Sequence, residues 1–140
     1  MPNLVIDASM AAAWCLPDEE TEYTNGVLKI VGETLDPIAP ALWAYEVRNT
    51  LLMGLKRGRI TKERAQKLLA FLTDLDVQLF EPQSHDTVFT LAETTGLTVY
   101  DAAYLDLALR EGVPIASLDN AVRNAATRKG VALLELPVGR

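Results

Sequence analysis

The amino-acid sequence predicts an α/β fold of three layers, α/β/α, around a central, mostly parallel sheet. Short apolar segments rich in β-branched residues alternate with longer segments whose apolar residues recur at helical spacing. Five of the eight glycines stand just past a helical segment, where helix C-termini favour glycine. Alternating strands and helices form right-handed βαβ units, which cover a parallel sheet on both faces. No repeat or linker interrupts the chain, so we expect one domain over residues 1–140.

The first half of the chain predicts two strands and four helices. Pro17 ends the first helix, and Gly32 and Gly58 end the next two. Thr61 is a suitable N-cap for the fourth helix, because its hydroxyl can accept a hydrogen bond from a free N–H of the first turn. We therefore predict strands at residues 4–6 and 37–39, helices over residues 8–16, 19–31 and 41–57, and a further helix after Thr61.

The second half predicts four short strands and three helices. Gly96, Gly112 and Gly130 each follow a helical segment and end it. Thr98-Val99-Tyr100 is an apolar, strand-like run that leads into the second of these helices. We predict strands at residues 77–80, 98–100, 114–118 and 131–136, and helices over residues 86–95, 102–111 and 120–129.

The composition excludes several classes of protein. With 49% hydrophobic and 23% charged residues, the chain is too apolar to be disordered. The single cysteine, Cys15, cannot form an internal disulfide, and the single histidine, His85, excludes a His-rich zinc site. No apolar stretch approaches the about 20 residues that span a bilayer. The N-terminal residues lack the basic region of a signal peptide, so we expect a cytoplasmic protein without a membrane partner.

The charge is acidic overall but unevenly distributed. The formal net charge is −6, yet six of the 13 basic residues fall within residues 56–67, where Glu63 is the only acid. Two interpretations of this basic segment stay open: a solvated surface, or contacts to an RNA backbone. The candidate RNA-binding residues are Lys56, Arg57 and Arg59.

Four acidic residues occupy positions that differ from ordinary surface charge. Asp7, Asp101 and Asp119 each directly follow a predicted strand. Because the carboxyl ends of parallel strands share one edge of the sheet, we expect these three side chains to converge there. Glu46 lies on a mostly apolar face of the long helix, so we expect it to be half-buried. The four carboxylates are therefore candidates for one site.

Taken singly, each of these acids has a simpler interpretation. An Asp between a strand and a helix is most often an N-cap, and a Glu on a helix is most often solvated. Caps, however, have no reason to share one edge of a sheet. Carboxylates about 5 Å apart repel by about 3 kcal/mol per pair at an effective dielectric constant near 20, and bound cations offset such repulsion. An all-oxygen ligand set favours Mg²⁺ or Mn²⁺, which suits phosphodiester hydrolysis.

Four short motifs occur in order along the chain: Val5-Ile6-Asp7-Ala8-Ser9, Glu46-Val47-Arg48-Asn49, Tyr100-Asp101-Ala102-Ala103-Tyr104 and Ser117-Leu118-Asp119. Together they resemble the PIN-domain ribonucleases and, more narrowly, the VapC-type toxins of prokaryotic toxin–antitoxin pairs. The resemblance covers essentially the whole chain. It implies a PIN-like α/β fold and a metal-dependent endoribonuclease that leaves a 5′-phosphate and a 3′-hydroxyl.

The resemblance also implies roles for individual residues and partners. The four acids, Asp7, Glu46, Asp101 and Asp119, would bind one or two Mg²⁺ or Mn²⁺ ions and position the attacking water. Some members carry a further acid where this chain has Asn120, so one ion and two ions stay alternatives. The residues that match supporting positions are Ser9, Asn49 and Ser117. The family implies an RNA substrate, a homodimer and an antitoxin that silences the enzyme.

Three functions are compatible with these residues. The leading hypothesis is the toxin ribonuclease of a type II toxin–antitoxin pair. A housekeeping RNA-processing nuclease would use the same site, and the sequence of one chain does not separate the two. A PIN-like scaffold that binds RNA or protein without cutting is the third, although all four acids are intact.

Overall fold

The computed structural model describes residues 1–136 and places a four-stranded sheet between helices, with every strand pair parallel. The strand order is β3-β2-β1-β4. The elements are β1 (Asn3–Ile6), α1 (Ala8–Cys15), α2 (Glu22–Ile30), β2 (Asp36–Pro40), α3 (Leu42–Lys56), α4 (Lys62–Asp74), β3 (Gln78–Phe80), α5 (His85–Thr95), α6 (Val99–Glu111), β4 (Ile115–Ala116) and α7 (Asn120–Arg128). The predicted α/β/α class with its parallel central sheet is confirmed, and it agrees with the PIN-like fold that the resemblance implies.

The central strand, β1, is buried on both faces. Val5 pairs with Ile38 of β2 on one side and with Ile115 of β4 on the other. All three residues are fully buried, and this is why the strand is a continuous apolar run instead of an alternating one. The helix α6 packs against β1 and β2, and its buried face carries Tyr104 and Leu105 into the core.

Local capping explains where most helices begin and end. Side chains that accept a backbone N–H of the first turn precede six of the helices: Asp7, Thr21, Thr61, Ser84, Thr98 and Asp119. The helices α5 and α6 end at Gly96 and Gly112, whose φ angles of 79° and 67° lie in the left-handed region that glycine adopts without strain. These ends agree with the predicted ones.

Two predictions near the helix starts are wrong. Residues 98–100 do not form a strand, because the hydroxyl of Thr98 accepts the N–H of Asp101 and starts α6 at Val99. The pattern of Thr followed three residues later by an acid is a helix-start signal, and here it outweighs β-branched propensity. The helix predicted over residues 19–31 begins only at Glu22, because Pro17–Glu19 form a separate turn of 3₁₀ helix and Thr21 caps α2.

The last two predicted strands are shorter than expected. The strand predicted over residues 114–118 is confined to Ile115–Ala116, since Ser117 and Asp119 turn into the cap of α7. Within the strand predicted over residues 131–136, Leu133 forms a single parallel bridge to Ile115.

No helix among residues 1–136 combines the length and the apolar character needed to cross a bilayer.

Candidate functional site

Asp7 lies at the carboxyl end of β1 and is almost fully buried, with 5% of its surface exposed. Its Oδ1 atom accepts hydrogen bonds from the Met10 N–H at 3.1 Å and from the Ser9 hydroxyl at 2.6 Å. The bond from Met10 is an N-cap, as the simpler interpretation expects. An N-cap does not need to be buried. The burial of Asp7 therefore has a separate effect, which is on the ionisation of its carboxyl group.

Two serine hydroxyls connect Asp7 to the segment after β4. The Ser117 hydroxyl donates to Oδ2 of Asp7 and accepts the Asp119 N–H at 3.0 Å. The Ser9 hydroxyl accepts the Leu118 N–H at 3.0 Å while it donates to Asp7. The parallel pairing of β1 with β4 brings these distant segments to one edge of the sheet. Both serines therefore hold the carboxylate of Asp7 in place.

Asp119 and Asp101 lie at the starts of two helices on this edge. Asp119 is exposed and caps α7 by accepting the Val122 N–H at 3.0 Å. Asp101 is partly buried in the first turn of α6, and its own N–H donates to Thr98 at 3.0 Å. Because Asp101 is inside the helix and Thr98 is the cap, capping does not account for the carboxylate of Asp101.

Glu46 is half-buried on α3, as its apolar helix face predicts. Its Oε1 atom accepts a hydrogen bond of 2.5 Å from the hydroxyl of Tyr104, which is buried on α6. This contact joins two helices that flank the sheet and orients Glu46 toward α6. The position of Tyr104, three residues after Asp101, is therefore explained by a polar contact as well as by core packing.

Burial raises the pKa of the Asp7 carboxyl, although hydrogen bonds from Ser117, Ser9 and the Met10 N–H act in the opposite direction. The negative charge of Asp101 raises the pKa of Asp7 further. The physical cause is the loss of hydration around a carboxylate, which disfavours its charged form.

The pKa values of two other carboxyls are raised for the same reason. Burial raises the pKa of Asp101, and the charge of Asp119 adds to this effect. Burial also raises the pKa of Glu46; the Tyr104 hydroxyl lowers it in part, and the charges of Asp101 and Asp7 raise it again. The acids from β1, α3 and α6 therefore act on one another electrostatically, as expected for one cluster.

The donor set of this cluster suits a hard divalent cation. Within residues 1–136 none of the four carboxylates forms an ion pair with a Lys or Arg, so their mutual repulsion is not offset there. Carboxylate oxygens are the ligands that Mg²⁺ and Mn²⁺ prefer. In that part of the chain no three His, Cys, Asp or Glu side chains are grouped closely enough to hold a metal ion as they stand. Ligation would require the less buried carboxylates to move toward Asp7.

The other predicted residues lie away from these contacts. Asn49 is exposed on α3 and borders a surface depression that Met53 and Arg57 also line. Lys56 and Arg57 are exposed at the end of α3. Arg59 is already occupied, because its guanidinium bonds Asp18 at 2.5 Å and Glu19 at 3.1 Å. Of the three candidate RNA-binding residues, Arg59 is therefore the least available to bind a phosphate, because its charge is already paired.

One residue of the site was missed in the sequence. Arg123 donates from Nη1 to the Ser117 carbonyl at 3.0 Å, and its guanidinium lies 5.8 Å from the ring centre of Tyr23. It therefore stabilises the segment that carries Ser117 and Asp119. The available signal was its spacing, because Arg123 stands one helical turn after Asp119 on α7.

Comparison with known proteins finds relatives of similar length. The chain is similar to Ribonuclease VapC3 of Pyrobaculum aerophilum, with 37% identity over 123 residues that cover 84% of this chain and 89% of that protein. Among solved structures, the crystal structure of PAE2754 from Pyrobaculum aerophilum matches with a TM-score of 0.71 at 22% identity. That match covers 89% of this chain and 84% of the other, and it concerns the fold alone. No protein-family model matches the chain.

Proposed function

The chain belongs to the VapC-type PIN-domain ribonucleases, and from that premise we propose that it is a divalent-metal-dependent endoribonuclease. We further propose that it acts as the toxin of a type II toxin–antitoxin pair and that the activity lies in one domain, residues 1–140. Its partners would be an RNA substrate, a cognate antitoxin and a second copy of the chain.

One observation carries the proposal. The buried carboxylate of Asp7 is held by two serine hydroxyls, the charge of Asp101 raises the pKa values of Asp7 and Glu46, and residues 1–136 supply no cation that pairs with these carboxylates. A fold tolerates such repulsion when a bound cation offsets it. The proposed ligands are Asp7, Glu46, Asp101 and Asp119, with Mg²⁺ or Mn²⁺ as the ion.

The four proposed ligands differ in how firmly the chain holds them. Ser9 and Ser117 fix Asp7, the most rigid of the four carboxylates, while Tyr104 fixes Glu46. Asp101 is partly buried and Asp119 is exposed, so these two side chains are free to adjust when phosphate and cation enter. A bound divalent ion lowers the pKa of its water and neutralises charge on the leaving oxygen. It also reverses the local sign, which lets an acidic protein hold RNA.

The proposal is tested by thermal unfolding in increasing Mn²⁺ or Mg²⁺, followed by incubation of single-stranded RNA with the same proteins. A ligand at about 100 times its Kd adds roughly 2.7 kcal/mol of stability. We expect the melting temperature of wild type to rise by several degrees and that of Asp101→Asn to rise far less. Asp74→Asn, which removes an exposed acid on α4, is the matched control and should follow wild type.

Three outcomes separate the candidate functions. Metal binding with RNA cleavage that Asp101→Asn abolishes supports the nuclease. Metal-independent RNA binding without cleavage would assign the chain to the scaffold alternative. RNA cleavage that the protein encoded by the neighbouring gene does not inhibit would favour the housekeeping alternative over the toxin.

A further inference from the structure

A cavity of about 270 Å³ opens at the carboxyl ends of β2 and β3, where Pro40 and Phe80 line it. Leu42, which lines a second side, stands one helical turn before Glu46 on α3. Tyr100, which lines a third, directly precedes Asp101 on α6. The cavity therefore adjoins the carboxylate cluster without including any of its four acids.

The cavity is lined mostly by apolar residues, and four titratable residues also line it: Glu81, His85, Asp106 and Arg110. Asp106 and Arg110 stand one turn apart on α6, yet they form no ion pair within the described residues. Arg110 donates from Nη1 to the Glu81 carbonyl at 3.2 Å. Its Nε atom is buried and has no hydrogen-bond partner in residues 1–136. Because Nε is shielded from solvent, a ligand in the open cavity does not reach it, and the carboxylate of Asp106 is the group that a ligand can pair with.

Burial raises the pKa of the Asp106 carboxyl, and the nearby charge of Arg110 opposes that effect only in part. Asp106 is thus half-buried and poorly compensated by the chain itself. The cavity presents a half-buried carboxylate acceptor and an exposed aromatic ring. A ligand that offers a donor on one edge and a flat face for stacking would match both groups.

We propose that this cavity receives one unpaired nucleobase of the RNA substrate, next to the phosphodiester that water hydrolyses at the carboxylate cluster. The inference rests on the proposed nuclease function and deepens it. A base offers donors and acceptors along its edges, and proteins read single-stranded RNA by bonding these edges and stacking on aromatic rings. Tyr100 supplies such a ring at the cavity, with 65% of its surface exposed.

The size and polarity of the cavity favour a base over a protein side chain. Its volume lies just below the roughly 300–1,000 Å³ of ordinary small-molecule pockets, so it suits one ring system. An apolar side chain from a partner protein would fill the walls but leave the half-buried carboxylate of Asp106 without a donor. Asp106 is accordingly the specificity-determining residue, and Tyr100 is the stacking platform.

The binding test uses the four nucleoside monophosphates, AMP, GMP, CMP and UMP, each titrated into the protein in the presence of Mg²⁺, because without a cation the carboxylates would repel the phosphate. Methyl NMR signals of Ala103 and Leu107, which line the cavity, report occupancy. We expect one nucleotide to shift these signals at the lowest concentration, and Asp106→Asn to weaken its binding about tenfold because a neutral amide oxygen replaces a charged acceptor. Asp74→Asn is the matched control on an exposed helix face.

A second variant, at an exposed side chain, keeps the test valid if Asp106→Asn fails to fold. Tyr100→Ala changes an exposed side chain, and we expect it to weaken the same nucleotide by about tenfold through the lost stacking. Tyr100→Phe keeps the ring and should bind as wild type does. Tyr45→Ala, at another exposed tyrosine, should leave the nucleotide shifts unchanged.

Cleavage of a random-sequence RNA pool then tests specificity apart from activity. Wild type should favour one base beside the cut, and Asp106→Asn and Tyr100→Ala should flatten that preference. An unchanged preference in an active nuclease, or no nucleotide shifts at Ala103 and Leu107, would overturn the inference and leave the proposed function intact. If a bound antitoxin shifted the signals of Ala103 and Leu107 and no nucleotide did, the cavity would be a site for a protein segment and the inference would be wrong. Nucleotide binding by a chain that cuts no RNA would refute the nuclease and keep a base-binding cavity.

Discussion

The Tyr104 hydroxyl donates a 2.5 Å hydrogen bond to Oε1 of Glu46, across 58 residues of sequence. The contact links α6, which carries Asp101, to α3, which carries Glu46. It lowers the pKa of Glu46 against the stronger effect of burial. One hydroxyl therefore orients this carboxylate and partly offsets the effect of burial on its pKa.

Removal of that hydroxyl should shift the pH dependence of cleavage. In Tyr104→Phe the buried ring is kept and the bond to Glu46 is lost, so the pKa of Glu46 should rise further. We expect the acidic limb of the pH–rate profile to move to higher pH and activity near that limb to fall. Tyr45→Phe, at a side chain 81% exposed, is the control. An unmoved limb in Tyr104→Phe would show that Glu46 need not be ionised.

Ser117→Ala should cost both stability and activity. The fully buried hydroxyl serves Asp7 and the Asp119 N–H together, so its loss leaves Oδ2 of the buried Asp7 and the Asp119 N–H without this partner. We expect a loss of about 1–3 kcal/mol in the free energy of unfolding. Ser84→Ala, which removes only the surface cap of α5, should cost about 1 kcal/mol and leave cleavage intact. Urea unfolding and RNA cleavage of both variants check this; equal activity in the two would contradict the positioning role.

Stability without metal should fall as the pH rises through the carboxyl range. The folded pKa of Asp101 is raised above its usual 3.8, so its favourable contribution is complete below that value and is lost as pH rises through the folded pKa. Asp7 and Glu46 act in the same direction. In EDTA, we expect Asp101→Asn to gain stability relative to wild type as pH increases, measured by urea unfolding. A difference that stays constant from about pH 3.5 to 8 would contradict the raised pKa.

The basic residues after α3 should contribute unequally to RNA binding. Lys56 and Arg57 are exposed, whereas Arg59 is paired with Asp18 and Glu19. Replacing Lys56 or Arg57 with Ser should flatten the salt dependence of affinity by roughly 0.7 in log–log slope for each lost phosphate contact. Arg59→Ser should change the slope less. Fluorescence anisotropy at several salt concentrations measures the slopes, and an equal or larger effect of Arg59→Ser would reverse this order.

Local sequence signals determined most of the helices. Caps such as Thr61 and Ser84 and terminal glycines such as Gly96 act within a single turn, so their effect is visible in a short segment. The exception is instructive, because residues 98–100 carry a strand-like composition and the cap at Thr98 still makes them the start of a helix. There the composition favours a strand, but the hydrogen bond from the Asp101 N–H to the Thr98 hydroxyl starts a helix.

The sequence alone also determined the class of fold and the carboxylates worth examining, because apolar runs followed by an acid predict one edge of a parallel sheet. Only the tertiary structure decided which polar groups meet. Ser117 reaches Asp7 across 110 residues because β1 and β4 are neighbours in the sheet, and Tyr104 reaches Glu46 because α6 packs near α3. Such contacts depend on strand order and helix packing, which arise from the burial of the whole apolar surface. No local pattern encodes them, and the same holds for the cavity beside Asp106 and Arg110.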